Sequence, residues 1–341
     1  MSTTIAHVVP ALPPPAEGVG GYAIQLGACL QGSAESCYVV ASQSGRRQGA
    51  ATWRRSASHL LESLEAGASS RLLLHYANYG YATRGCPFWL VRALRHWKRS
   101  AGRRRLVTVF HEVRASGRPW QSSFWLGWLQ LRLARQIAHL SDATVTTLDR
   151  YAEFLRDAGP SPDVMPVFSS VGETPTPEPL SSREPRVVVF GGVGARRRAF
   201  SSTIRQLAVA CRDLEAAEVI DVGAGHFRPP LDIEGVPVRV LGELPDQEVC
   251  AILRGSRFGF LAYPLEFLPK STIFAAYCAN GTLPICAATK SPPSSARLAP
   301  HAIPEQQRET HQRIADDAHR WYQGHSLAVQ RARFLRHLDI S

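Results

Sequence analysis

Short apolar runs alternate with amphipathic stretches along almost the whole chain, a pattern that predicts strands alternating with helices. Ile5-Ala-His-Val-Val reads as a strand, residues 13–21 as a Pro/Gly loop, and residues 22–30 as the helix that follows. Further strands are expected over 37–41, 71–76, 106–110, 143–147 and 164–168. Residues 87–99 open with proline and set Leu90, Leu94 and Trp97 at helical spacing. Residues 122–140 form a helix rich in Trp and Leu, and another helix ends near Gly159. The alternation then resumes, with strands over 186–190, 218–222, 238–241, 258–263 and 282–286 and helices over 201–214, 246–253 and 271–279. A helical tail is expected from about Pro304 to Leu338. Strand–helix alternation in both halves predicts two parallel-sheet α/β domains.

Between the halves, residues 172–185 carry Pro175, Pro177, Pro179 and Pro185 among Thr, Ser and Glu, as a linker would. The expected division is therefore a first domain over 1–171, a linker over 172–185, a second domain over 186–303 and a tail over 304–341.

Composition narrows the function classes. The chain has 341 residues, 45% of them hydrophobic and 20% charged, which excludes general disorder and a small cysteine-stapled scaffold. Lys+Arg is 39 against 28 Asp+Glu, a net charge of +11 that favours anionic partners. All but three of the basic residues are arginine; the lysines are Lys98, Lys270 and Lys290. The seven cysteines form no C-x-x-C and sit mostly in apolar runs, so buried free thiols in a reducing cytoplasm are expected. The uncharged window between Lys270 and Lys290 is broken by Asn280, Gly281 and Pro284, which suits helix–loop–strand better than a membrane span. No H-E-x-x-H and no D-x-D occurs, so no metal site is expected. No recognised nucleic-acid-binding module accompanies the positive charge, and a nucleic-acid partner is not expected.

Five constellations could carry chemistry. Glu17-Gly-Val-Gly-Gly-Tyr22 lies between the first strand and helix, where glycine lets a ligand approach the backbone; it is not the dinucleotide fingerprint, since no acidic residue ends the second strand. Phe110-His111-Glu112 ends a strand, where ligands of open α/β sheets bind. Gly191-Gly-Val-Gly-Ala-Arg196-Arg197-Arg198 joins a flexible turn to forked phosphate donors. Tyr263-Pro-Leu-Glu266-Phe-Leu-Pro-Lys270-Ser271-Thr272 leads into a helix N-terminus suited to a pyrophosphate, with Glu266 available to a ribose or sugar hydroxyl. Aromatics from His75 to Tyr81, with Phe88-Trp89, Arg118-Pro-Trp120 and Phe124-Trp125, could stack on sugars or sit at a lipid interface. Each also has a plain structural counterpart: a tight turn, a capping histidine, a solvated basic turn, a capped core helix, a packed aromatic core.

Taken together, the Gly-Gly turn, Val109-Phe-His-Glu, Leu74-His-Tyr-Ala-Asn-Tyr-Gly-Tyr, Pro119-Trp-Gln-Ser-Ser-Phe-Trp and Lys270-Ser-Thr-Ile-Phe-Ala-Ala-Tyr resemble a bacterial branch of the GT-B glycosyltransferases, family 4. The resemblance covers roughly 5 to 290. It implies two Rossmann-like domains facing a cleft and a C-terminal helix returning to the first domain. It implies a retaining, metal-independent transfer from a nucleotide-diphosphate sugar, with no cofactor beyond that co-substrate. His111, Arg196 and Lys270 take the catalytic roles, with Gly20, Gly21, Arg197, Glu266, Ser271 and Thr272 binding the donor. Tyr79, Glu112 and Trp120 form the acceptor side. The acceptor is a hydroxyl on a glycan, a lipid-linked sugar or a small aglycone; a lipid-linked one would place the protein at the inner face of the membrane. The family's E-x7-E pair is not intact, because the second position falls at Phe274 or Ala275. A catalytically weak homologue that binds a nucleotide-sugar or a partner transferase is the alternative.

Overall fold

The computed structural model describes residues 3–13, 18–41, 57–67, 69–115, 122–287, 296–298 and 308–340. The chain divides into two compact units, Met1–Pro166 with Gln330–Ser341, and Val167–Val329.

The first unit runs β1 (Thr4–Val9), α1 (Gly18–Leu30), β2 (Glu35–Val40), α2 (Ala57–Ala66), β3 (Arg71–Ala77), α3 (Asn78–Tyr81), α4 (Phe88–Arg99), β4 (Arg105–Glu112), α5 (Ser122–Leu140), β5 (Ala143–Thr146), α6 (Asp149–Leu155) and β6 (Asp163–Val164). Its sheet has the order β2-β1-β3-β4-β5-β6 and every pairing is parallel. Runs such as Leu72-Leu73-Leu74 are fully buried, as strands covered by helices on both faces require. The expected strand over 164–168 shrinks to Asp163–Val164. Pro166 has no N–H to give, and Val167 already donates to Pro269 O in the second unit's own fold.

The second unit contains β7 (Glu184–Phe190), α7 (Val193–Arg197), α8 (Ile204–Asp213), β8 (Glu218–Val222), β9 (Asp232–Ile233), β10 (Val236–Gly242), α9 (Asp246–Arg254), β11 (Ser256–Ala262), α10 (Thr272–Ala279), β12 (Leu283–Ala287), β13 (Ala296–Leu298), α11 (Arg308–Gln323) and the start of α12 (Leu327–Leu338). Its sheet order is β13-β12-β11-β7-β8-β10-β9, parallel except at the β12–β13 and β9–β10 edges. Val187, Val189, Phe258, Phe260, Leu283 and Ile285 form the centre of its core.

The stretch 172–185, expected as a linker, lies inside the second unit. Thr174 N donates to Ala279 O and Thr174 Oγ1 to Asn280 Oδ1, while Arg183 is buried and donates to Glu178 O and Asn280 O. The helical tail expected over 304–338 consists of two helices broken near Gly324, and its first residues, 304–307, lie outside the described residues. α11 belongs to the second unit, and from Gln330 onward α12 belongs to the first. There Gln330 accepts from Tyr22 OH, Phe334 and Leu338 are fully buried, and Asp163 accepts from Arg333 and His337. The His337 hydrogen bond, with the neighbouring Arg333 charge, holds the Asp163 carboxyl below its ordinary range. Among the described residues, no helix is long and apolar enough to cross a membrane.

Candidate functional site

In the first unit the candidate residues gather at the C-terminal ends of the strands. Gly20 and Gly21 are not in a loop: α1 begins at Gly18, so both lie in its first turn. A Cβ on Gly20 would stand 2.3 Å from Ala11 O, while one on Gly21 would meet nothing within 4 Å among the described residues. Gly20 is thus a packing requirement between the helix and the loop after β1. Gly21 leaves an open face at a helix N-terminus, where unpaired N–H groups favour an anion. Gly20→Ala is expected to cost about 1–3 kcal/mol in a urea unfolding series. Gly21→Ala is expected to leave stability unchanged or raised by up to about 1 kcal/mol, through the lower chain entropy of alanine.

His111 is the penultimate residue of β4 and is buried. It is one end of a row that the sequence reading missed. His7 Nδ1 lies 3.2 Å from His75 Nε2, and His75 Nδ1 lies 3.4 Å from His111 Nε2. The parallel register explains the row: His7 pairs with Leu73, two residues before His75, and His75 pairs with Val109, two residues before His111. A step of two keeps all three rings on one face. Ser36 Oγ meets His7 Nε2 at 3.2 Å at the far end, and Tyr22 packs edge-on against His111 at 5.1 Å between ring centres. Burial lowers the His7 pKa to about 4. Burial, together with its two histidine neighbours, holds His75 well below the ordinary value. Neutral rings are what the row needs, since each link sets one N–H against one lone pair.

Tyr79 is 40% exposed on α3 and takes a hydrogen bond from Gln130 Nε2. Gln130 is wholly buried and also donates to Arg84 O while accepting from Asn78 Nδ2 and Ala115 N. A glutamine set directly between Leu129 and Leu131 in α5 was the available signal for this hub. Glu112 ends β4 and is half-buried. Trp120 and Glu17 lie outside the described residues.

In the second unit, β7 is followed by Gly191 and Gly192. Gly191 has φ +123°, and a Cβ there would stand 2.6 Å from Ile273 Cδ1 of α10. This close approach brings the turn after β7 against the start of α10, uniting two motifs that lie about eighty residues apart. The helix leaving the turn passes through a π-turn, Arg198–Ser202, a distortion frequent at functional sites.

The three arginines have separate fates. Arg196 is 1% exposed and donates to Asp221 Oδ2 at 3.1 Å and to Ala224 O and Gly225 O. This corrects its assignment as a catalytic contact: the side chain is buried and both terminal nitrogens are spent inside the unit, although Nε is not. Burial raises the Asp221 carboxyl pKa, although Arg196 pulls the other way. Arg197 is exposed, and Arg198 is half-exposed with Nε donating to Ala262 O, the last residue of β11. Arg197 and Arg198, unlike Arg196, keep access to solvent. Asp221 carried no sequence signal that marked it as Arg196's partner.

Ser271 is buried and accepts from Phe274 N, so it caps α10 rather than presenting its hydroxyl to a donor. Thr272 opens the helix and is half-exposed. Lys270 ends a 3₁₀ turn over Leu265–Lys270, with Nζ 5.7 Å from the Phe267 ring centre, and Glu266 is exposed on the same turn. Phe274 and Ala275, where a second glutamate would stand, are buried. Arg198, Lys270, Thr272 and the α10 N-terminus thus follow or touch the C-terminal ends of β7 and β11, and Arg197 is exposed on α7 beside Arg198. The arrangement can hold a doubly charged phosphate group.

No family model matches the chain, and no curated protein matches it. Among solved structures it is similar to a protein described as a UDP-N-acetylglucosamine 2-epimerase from Listeria monocytogenes, with 12% identity, a TM-score of 0.57, and 98% of this chain and 95% of that one covered. It is also similar to an alpha-glucosyltransferase solved with UDP and a 13-mer DNA containing an HMU base, with 12% identity, a TM-score of 0.52 and 96% of each chain covered. At that identity the likeness is one of fold, and it spans nearly the whole length of each pair. Two parallel-sheet, Rossmann-like units in this order give the chain the GT-B fold.

Proposed function

We propose that the chain binds a nucleotide-diphosphate sugar and transfers the sugar, with retention and without a metal, to a hydroxyl acceptor, in the manner of family 4 glycosyltransferases. The carrying observation is the second unit's cationic edge, where Arg198, Lys270 and the α10 N-terminus follow or touch the ends of β7 and β11, with Arg197 exposed beside Arg198. When the anomeric C–O bond breaks, its electron pair passes to the leaving diphosphate. Cations held in place beforehand stabilise that charge as it develops. The resemblance assigns the sugar to His111. The neutral row behind it would hold its ring in one tautomer, presenting a fixed hydrogen-bonding group to a sugar hydroxyl. The structural neighbours described as a UDP-sugar epimerase and a glucosyltransferase solved with UDP make UDP the first nucleotide to try.

The test is a thermal-shift panel with UDP, GDP, TDP, ADP and CMP, without metal, followed by assay of diphosphate release from the matching sugar donor. One diphosphate at a hundred times its Kd is expected to stabilise the wild type by about 2.7 kcal/mol and the Arg198→Ala/Lys270→Ala variant much less. His111→Ala is expected to keep that binding and lose turnover by at least about a hundredfold. Stabilisation by none of the five, or equal stabilisation of wild type and variant, would refute the proposed site. The buried Phe274 in place of a second glutamate favours one other reading, a homologue that binds without transfer. Binding without release from any donor would select it.

A further inference from the structure

A groove of about 840 Å³ runs along the outer face of α5 in the first unit, and none of the chemistry proposed above uses it. Arg132 and Arg135 line it from α5, Arg95 and Arg99 from α4, Arg114 from beyond β4, and Arg156 from the end of α6. Among the described residues one carboxylate, Asp157, shares the lining. Among the described residues none of the six arginines is in an ion pair. Two are held in place by other means: Arg135 Nε donates to Phe154 O, and the Arg114 guanidinium lies 4.6 Å from the Phe154 ring centre. Trp128, 63% exposed, forms an apolar wall.

Six guanidiniums against one carboxylate repel one another unless an anion enters, and forked donors match phosphate oxygens in pairs. The volume lies in the range of compact ligands, about 300–1,000 Å³, and not of a macromolecular face. We infer that this groove is a binding site for a ligand with clustered phosphates, separate from the nucleotide-sugar site of the second unit. The inference does not depend on the transferase reading. The phosphates belong either to a free polyphosphorylated molecule or to anionic lipid headgroups, and the two sources are separable.

Two probes distinguish them: sodium tripolyphosphate in calorimetric titration, and sedimentation with phosphatidylcholine vesicles holding about 30 mol% phosphatidylglycerol. Both are run in the Arg198→Ala/Lys270→Ala background, which removes the nucleotide site's own pull on phosphate. Arg95, Arg99 and Arg132 are exposed, so Arg95→Gln/Arg99→Gln/Arg132→Gln is expected to keep the parent thermal midpoint. At least about a tenfold weakening of tripolyphosphate binding in that variant supports a soluble ligand. The same loss seen with vesicles alone supports headgroups. Should the triple variant misfold, Arg99→Gln and Arg132→Gln singly carry the same reading with smaller losses. Absence of binding to both probes overturns the inference, as does binding that the arginine variants retain. Displacement of tripolyphosphate by sub-stoichiometric duplex DNA also overturns it, because the face would then be a nucleic-acid surface.

Discussion

Arg196→Ala is expected to lower the thermal midpoint by roughly 10 °C, far more than Arg197→Ala beside it. Arg196 and Asp221 are 1% and 0% exposed and lie 3.1 Å apart, so removing the guanidinium strands a carboxylate in the core of the second unit. Breaking such a pair from one side costs about 3–5 kcal/mol. Two backbone carbonyls, Ala224 O and Gly225 O, lose their donor in the same step. Arg196→Lys should recover little, because one ammonium cannot span a carboxylate and two carbonyls in the plane of a fork. Arg196→Met/Asp221→Leu should recover much of the loss, since replacing both charges by apolar groups removes the orphan. Arg197→Ala, at an exposed position, should leave the midpoint within about a degree and weaken nucleotide binding instead. Scanning calorimetry of the four variants decides the matter. An unshifted midpoint in Arg196→Ala with lost nucleotide binding would return that residue to the phosphate site.

Acid should unfold the first unit early. The unfolded chain protonates its histidines near 6.5, whereas folded His7 resists protonation down to about 4. Between those values the unfolded state binds more protons, so stability falls as pH falls from 6.5 to 4. The 2.5-unit gap corresponds to about 3 kcal/mol from His7. His75, lowered well below 6.5, adds to the loss from the same upper edge and continues below it. Protonating any ring also sets N–H against N–H at one link of the row. Urea midpoints at pH 7.5, 5.5 and 4.5 are expected to fall steeply in the wild type and less steeply in His7→Gln/His75→Gln. Parallel slopes would show that the row contributes nothing to acid sensitivity. The comparison uses slopes, so a uniform loss of stability in the variant leaves the test intact.

The neighbouring glycines 20 and 21 show where local pattern stops informing. Both belong to the same motif and look equivalent in sequence, yet a side chain on one would strike a backbone carbonyl and on the other would meet nothing among the described residues. The arginine triplet divides in the same way: its position after a strand was legible, and its division into one internal strut and two outward cations was not. Helix phase makes that choice at about 100° per residue, and the π-turn beginning at Arg198 alters the phase locally. Ser271 likewise read as a ligand because caps and anion sites use the same residue types at the same helix end. The unit boundary at Pro166 escaped notice because the prolines over 172–185 are a stronger local signal than the hydrogen bond from Val167 to Pro269.

By itself, the sequence determined the alternation of strands and helices, the two parallel sheets, and the placing of His111 and the Gly-Gly-Arg turn at strand ends. Those features follow from periodicity and turn chemistry within a dozen residues, which the chain carries locally. Only the tertiary structure decided that His7, His75 and His111 form one row, that Arg196 is spent on Asp221, and that arginines from α4, α5 and α6 share a groove. Each of these depends on strand register or helix phase across segments tens of residues apart, and both are set by how buried faces pack, which no local pattern encodes.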